Sequence, residues 1–221
     1  MQGNILVTFS LASLLTSMIA VEMRNLRVTV IFYFFHSIFL CSIIVSYAYL
    51  MHNPTLYLWS VTCFITKVLI IPTLLWKFVQ RVPSREYRPV IGFGASMFIL
   101  SVIVMAFFTL FRTYLYLLAP THVATVEPVR SLLAVAFTIF MVGVYTLLTR
   151  RDAIKTVIGL ALLENGVHLV LLALVPNLAE TTMIGILTNV VVVVGLLLYL
   201  STTIYEVFGT TDTAQLSELK R

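Results

Sequence analysis

Glu164 and His168 stand four residues apart inside an apolar stretch, Ile158-Gly-Leu-Ala-Leu-Leu-Glu-Asn-Gly-Val-His-Leu-Val-Leu-Leu172. On a helix that spacing puts both side chains on one face. A charge at the centre of a bilayer costs roughly 2.5–3.5 kcal/mol on insertion scales. Burial disfavours the charged form of each group unless the two pair. A group balanced between its charged and neutral forms is what proton transfer needs. Two readings follow. The pair is a station in a proton relay, or it is a self-contained polar contact that holds helices together. Asn165 lies beside them and can hydrogen-bond.

Lys67 is a third ionisable group in an apolar run, Leu58-Trp-Ser-Val-Thr-Cys-Phe-Ile-Thr-Lys-Val-Leu-Ile-Ile-Pro72. It is about ten residues from either end of that run, too deep for its ammonium to reach water easily. It needs a carboxylate, a hydrated cavity or neutralisation. Pro72 removes a backbone donor and can open a kink beside it. A structural counter-ion is the competing role. His36 lies in Phe34-Phe-His-Ser37 and is either a satisfied packing residue or a member of the same polar axis. Asn189 can bond across helices but cannot carry a proton. Arg112, near a helix end, reads as an interfacial anchor. Glu206 and the remaining charges are expected in solvent.

The elements that must position these groups are transmembrane helices. Of the 221 residues, 60% are hydrophobic and 10% are charged, against about 25% charged in a soluble domain. Seven runs are long enough to span a bilayer, near 4–22, 28–50, 57–79, 90–111, 131–149, 154–176 and 182–205. They are continuously apolar rather than alternating, which predicts helices and not barrel strands. The fold class is an all-α membrane protein. The net charge of +5 does not point to nucleic acid, because the basic residues fall in short loops. Arg24, Arg27, Lys77, Arg81, Arg85, Arg88, Arg150, Arg151, Lys155, Lys220 and Arg221 fall on one side, Arg112 and Arg130 on the other. That bias predicts a cytoplasmic C-terminus and an N-terminus outside. The longest outer loop, about Thr113 to Val129, contains Tyr114, Tyr116 and His122 and is expected to form a short interfacial helix.

A weak internal repeat relates Arg24-Asn-Leu-Arg-Val-Thr-Val-Ile31 to Arg151-Asp-Ala-Ile-Lys-Thr-Val-Ile158. Ile65-Thr-Lys67 falls near Leu187-Thr-Asn189 at a slightly different offset. The expected organisation is an N-terminal three-helix unit (1–80) and a linker helix with outer loop (81–130). A C-terminal three-helix unit (131–208) and a polar cytoplasmic tail (209–221) follow. Such repeats would be parallel.

No cleavable signal is evident at the N-terminus. Cys41 and Cys63, isolated in apolar runs, read as small buried hydrophobes. No Cys or His spacing suggests zinc, haem or an iron–sulfur cluster, so no metal ligand and no catalytic residue is assigned.

Phe64-Ile-Thr-Lys-Val-Leu-Ile-Ile-Pro72 and Leu163-Glu-Asn-Gly-Val-His-Leu-Val170 resemble the signature segments of the hydrogenase-4 membrane component E family. The resemblance runs from about Leu14 to the tail. The C-terminal three helices are also similar to the K subunit of respiratory complex I and the C subunit of multisubunit cation/proton antiporters, through Arg151 to Asn165. The K subunit carries an acid just after its Gly-Leu pair. Here that position is Ala161, and the acid appears one turn later as Glu164. The K subunit's second acid has no counterpart in the Val190–Val194 run.

The resemblance implies a non-catalytic, multi-pass subunit of a complex I-like group 4 hydrogenase of the formate hydrogenlyase type, in the inner membrane. Its partners would be antiporter-like subunits and a membrane anchor subunit, besides the lipid bilayer. A nickel–iron site and iron–sulfur clusters would sit on those partner subunits, with no cofactor in this chain. Lys67, Glu164, His168, His36, Asn165 and Asn189 would form a polar axis coupling redox chemistry to proton or cation movement. The alternatives are a structural spacer with no ion path and a component of a multisubunit antiporter.

Overall fold

A computed structural model of the protein describes residues 2–81, 92–121, 126–175, 177 and 180–211. Arg85, Arg88 and His122, and the tail from 212 with Lys220 and Arg221, lie outside the described residues. The described chain is helical, with no strand among those residues. Its elements are α1 (Gln2–Glu22), α2 (Leu26–Met51), α3 (Thr55–Cys63), a π-helical segment (Phe64–Ile70), α4 (Ile71–Arg81), α5 (Phe93–Leu118), α6 (Val129–Thr149), α7 (Ala153–Leu174) and α8 (Glu180–Phe208). The π segment fuses α3 and α4 into one span, so among the described residues seven helices are long and apolar enough to cross a membrane.

Local chemistry fixes the ends. Asn25 caps α2 by accepting from the Arg27 N–H at 2.9 Å. Asp152 caps α7 by accepting from the N–H groups of Ile154 (2.9 Å) and Lys155 (3.1 Å). Both supply a side-chain acceptor to first-turn donors that lack a helical partner. His52 ends α2 in the left-handed region, at φ 50°. Asn53 then accepts from the N–H and the hydroxyl of Thr55 to start α3.

Two features differ from expectation. Residues 115–118 form a short helical piece set off by a kink at the non-helical Tyr114 (φ −105°, ψ 21°), joined end-on to α5 rather than standing apart from it in the loop. Thr-Tyr-Leu-Tyr-Leu-Leu is apolar enough to prolong the helix, and it stops where Ala119 precedes Pro120. Pro72 acts upstream of itself. The Ile71 N–H bonds to the Thr66 carbonyl, five residues back. Phe64–Ile70 therefore widens into a π turn, which holds Lys67.

The core lies where α1 packs on α2 and α6 on α7. Gly143 and Gly166 make the α6–α7 contact a backbone contact. A Cβ on Gly143 would stand 2.5 Å from the Leu163 nitrogen, and one on Gly166 would stand 2.7 Å from the Phe140 nitrogen. Small residues at such positions let helices approach closely where lipid offers no hydrophobic drive to hold them together. α5 and α8 are peripheral, and most of their side chains face outward.

Candidate functional site

Lys67, Glu164, His168, Asn165 and His36 converge at mid-depth between the π segment, α2 and α7. Lys67 is twelve residues from Thr55 and fourteen from Arg81 on its span (67 − 55 and 81 − 67). Its side chain is wholly buried, and its ammonium has three acceptors for three protons. It pairs with Glu164 Oε2, donates to Asn165 Oδ1 and lies 3.0 Å from His168 Nδ1. Glu164 Oε1 in turn contacts the same His168 Nδ1. One imidazole nitrogen thus sits between an ammonium and a carboxylate. It can accept from Lys67 or donate to Glu164, but not both in one neutral tautomer. That ambiguity is the chemistry of the site: a proton has more than one resting place without any heavy atom moving far.

The remaining bonds fix a direction. Asn165 Oδ1 accepts from Lys67, so its amide nitrogen faces His36 Nε2 at 3.1 Å and donates to it. His36 Nδ1 then carries the proton and donates to the Ser13 carbonyl at 2.9 Å, with the Ser13 hydroxyl 3.2 Å away. This assignment of amide and tautomer follows from the bonding pattern. His36 is therefore both a satisfied core histidine and an arm of the cluster reaching α1. Tyr33 stacks obliquely near His36 with ring centroids 6.1 Å apart, its hydroxyl buried and without a hydrogen-bond partner. Trp59 stands at 6.3 Å from the His168 ring, and Trp59 Nε1 and His168 Nε2 are likewise buried without a partner.

Glu164 is the member of the cluster that reaches an opening. Its side chain retains 19% exposure, onto a crevice of about 260 Å³ between α7 and α8. Asn189 lines the same crevice, but no hydrogen bond joins it to the cluster. Cys41 and Cys63 are not isolated from one another: their sulfurs are 3.6 Å apart, buried between α2 and α3. Arg112 is exposed near the end of α5 and pairs with Glu127 at 3.3 Å. Among the described residues, no group of three or more His, Cys, Asp or Glu side chains could hold a metal ion.

A second cluster escaped the sequence reading and corrects the expectation that the other charges are solvated. Glu22 and Arg150 form an ion pair with almost no exposure. Ser96 donates to Glu22 at 2.9 Å, accepts from Arg150 at 2.9 Å and lies 2.9 Å from the Tyr145 hydroxyl. Lys155 is not a loop residue but lies buried in the first turn of α7. Its ammonium reaches the carbonyls of Ala20 (2.8 Å), Val21 (3.1 Å) and Met23 (2.7 Å) and the Thr29 hydroxyl (2.7 Å). Asp152 is buried too, and burial pushes its carboxyl up from the usual carboxylate range. A signal for this cluster existed. Glu22 puts a negative charge at the C-terminus of α1, against the helix dipole, and Lys155 puts a positive one at the N-terminus of α7. Each misplaced charge is corrected by the neighbouring helix.

Comparison with known proteins bears on this arrangement. Residues 131–221 match the family of NADH-ubiquinone/plastoquinone oxidoreductase chain 4L. Those residues include α7 and α8, hence Glu164, Asn165, His168 and Asn189. Over its whole length the chain is 29% identical to the hydrogenase-4 component E of Escherichia coli strain K12, spanning all of both chains. The same identity and coverage hold for hydrogenase-4 component E of Escherichia coli O157:H7 and of Shigella flexneri. The likeness thus extends ahead of Leu14. No solved structure matches.

Proposed function

We propose that this chain is a non-catalytic, integral membrane subunit of a complex I-like hydrogenase assembly. Its share of the work is a segment of the polar axis that couples redox chemistry to proton or cation movement. The full-length likeness to hydrogenase-4 component E and the chain 4L match support the membrane-subunit part. The coupling part rests on one observation: a wholly buried Lys67 shared by Glu164, Asn165 and His168 at mid-membrane depth. A merely adhesive ion pair needs no third titratable group at the same nitrogen and no opening to a crevice. In this reading the nickel–iron and iron–sulfur centres belong to partner subunits, among them antiporter-like subunits and a membrane anchor. The C-terminus is cytoplasmic and the membrane is the inner one.

Glu164→Gln tests it. The amide keeps the shape and can still accept from Lys67, so the assembly should be recovered with all its subunits. Redox turnover measured uncoupled should persist, while turnover coupled to a proton or cation gradient should fall at least tenfold. A fully assembled Glu164→Gln complex with normal coupling would sink the relay. If the variant instead fails to assemble, the cluster is a structural spacer.

A further inference from the structure

A groove of about 490 Å³ runs between α4 and α8 at the end of the bundle that carries most of the basic residues. Its walls change character along its length. Toward mid-membrane they are Leu74, Gly195 and Leu198; toward the end they are Lys77, Arg81 and Glu206. Lys77 and Arg81 stand one helical turn apart, on one face of α4. Both are exposed, and among the described residues neither makes an ion pair or a hydrogen bond. Trp76 beside Lys77 and Tyr199 across the groove are both exposed. Such aromatic residues mark the level of the lipid headgroups. The hydroxyls of Thr202 and Thr203 already donate to carbonyls of their own helix. The free donors at the mouth are therefore the two cations and the Tyr199 hydroxyl.

We propose that this groove binds an anionic phospholipid. The phosphate would sit against Lys77 and Arg81, and one acyl chain would lie along Leu74, Gly195 and Leu198. Two cations against the single carboxylate of Glu206 leave one net positive charge at the mouth, which a zwitterionic headgroup matches poorly. Basic pockets between transmembrane helices bind acidic headgroups for this reason. Gly195 gives the acyl chain its room: a Cβ built there meets no atom within 4 Å. The site is separate from the Lys67 cluster, so its test does not depend on coupling.

The experiment uses the assembly extracted in mild detergent and reconstituted with photoactivatable phosphatidylglycerol or phosphatidylcholine. The labelled peptides are then read by mass spectrometry. Phosphatidylglycerol should label α4 and α8 in preference to phosphatidylcholine. Each surface cation is worth about 1 kcal/mol toward an acidic headgroup, about fivefold in binding, so K77Q/R81Q should lose roughly 25-fold. K77R should keep the label. G195L retains every charge and should lose it by filling the acyl channel. It also decides the matter if K77Q/R81Q does not insert. Equal labelling by the two lipids, or unchanged labelling in G195L, overturns the proposal. So does displacement of the label by inorganic phosphate, or a partner subunit crosslinked into the groove in its place.

Discussion

Two buried acid–base clusters lie in this bundle, and they differ in closure rather than in chemistry. At mid-depth, Lys67 and Glu164 share their charge with His168 and Asn165, and Glu164 looks into a crevice. At the basic end, Glu22 and Arg150 are sealed by Ser96 and Tyr145, with 0% and 8% side-chain exposure. A sealed ion pair has nowhere to send a proton, and its attraction is set against a large desolvation cost. What it does is position helices. Among the described residues of α5 few are buried, and Ser96 ties that peripheral helix to α1 and α6. An open pair with a third titratable group can exchange. The comparison teaches that burial alone does not separate the two clusters; what separates them is that Glu164 opens onto a crevice, the feature on which the proposed relay rests.

The largest effect should come from breaking the sealed pair. Removing one partner of a buried ion pair typically costs about 3–5 kcal/mol, because the other charge is stranded. Glu22→Ala and Arg150→Ala should each lower the unfolding transition in detergent by an amount of that order. E22L/R150L should recover much of the loss, since apolar replacement of both partners is often neutral. A double variant as damaged as the singles would show that Ser96 and Tyr145, not the pair itself, hold the clasp.

Next in size is the seam that carries the open cluster. Gly166 adjoins Asn165, and a Cβ there meets the Phe140 nitrogen and, at 2.8 Å, the Ala136 carbonyl oxygen. Neither atom can rotate away, so Gly166→Ala must push α6 and α7 apart. Overpacking of this kind costs about 1–3 kcal/mol. The same shift moves Glu164 and His168 relative to Lys67, so coupled turnover should fall more steeply than stability. Gly185→Ala, where a Cβ meets open space, is the matched control and should change neither measurement appreciably.

The two clusters also differ in how far the sequence revealed them. Lys67, Glu164 and His168 stand out because each interrupts a long apolar run, and a charge in hydrocarbon demands a partner. Their meeting was legible as a requirement, though not as a geometry: the sequence separation of 97 between Lys67 and Glu164 carries no distance information. Seven spans were legible because length and hydropathy fix them. The π turn was half legible, since Pro72 announces a break but not on which side it is absorbed. Glu22, Arg150 and Lys155 were hidden because they stand beside loops, where charges are ordinary. Only the conflict of Glu22 and Lys155 with their helix dipoles distinguishes them from solvated neighbours, and Arg150, a cation at the C-terminus of α6, carries no such mark.

A third ion pair completes the comparison and should show the smallest effect. Arg112 and Glu127 have the same chemistry as Arg150 and Glu22, but their side chains are 52% and 48% exposed. Water solvates both ions whether or not they touch, so exposed pairs contribute about 0–1 kcal/mol. Arg112 also offers its backbone carbonyl to Arg130 at 2.9 Å, and that bond does not depend on its side chain. Arg112→Ala should therefore leave the unfolding transition within about 0.5 kcal/mol of the parent. Raising the salt concentration should shrink even that difference, while the losses at Glu22 and Arg150 should persist, because buried pairs are screened far less. A large, salt-independent loss in Arg112→Ala would mean that this end of α5 is covered in the assembly. The exposed pair would then belong with the sealed one.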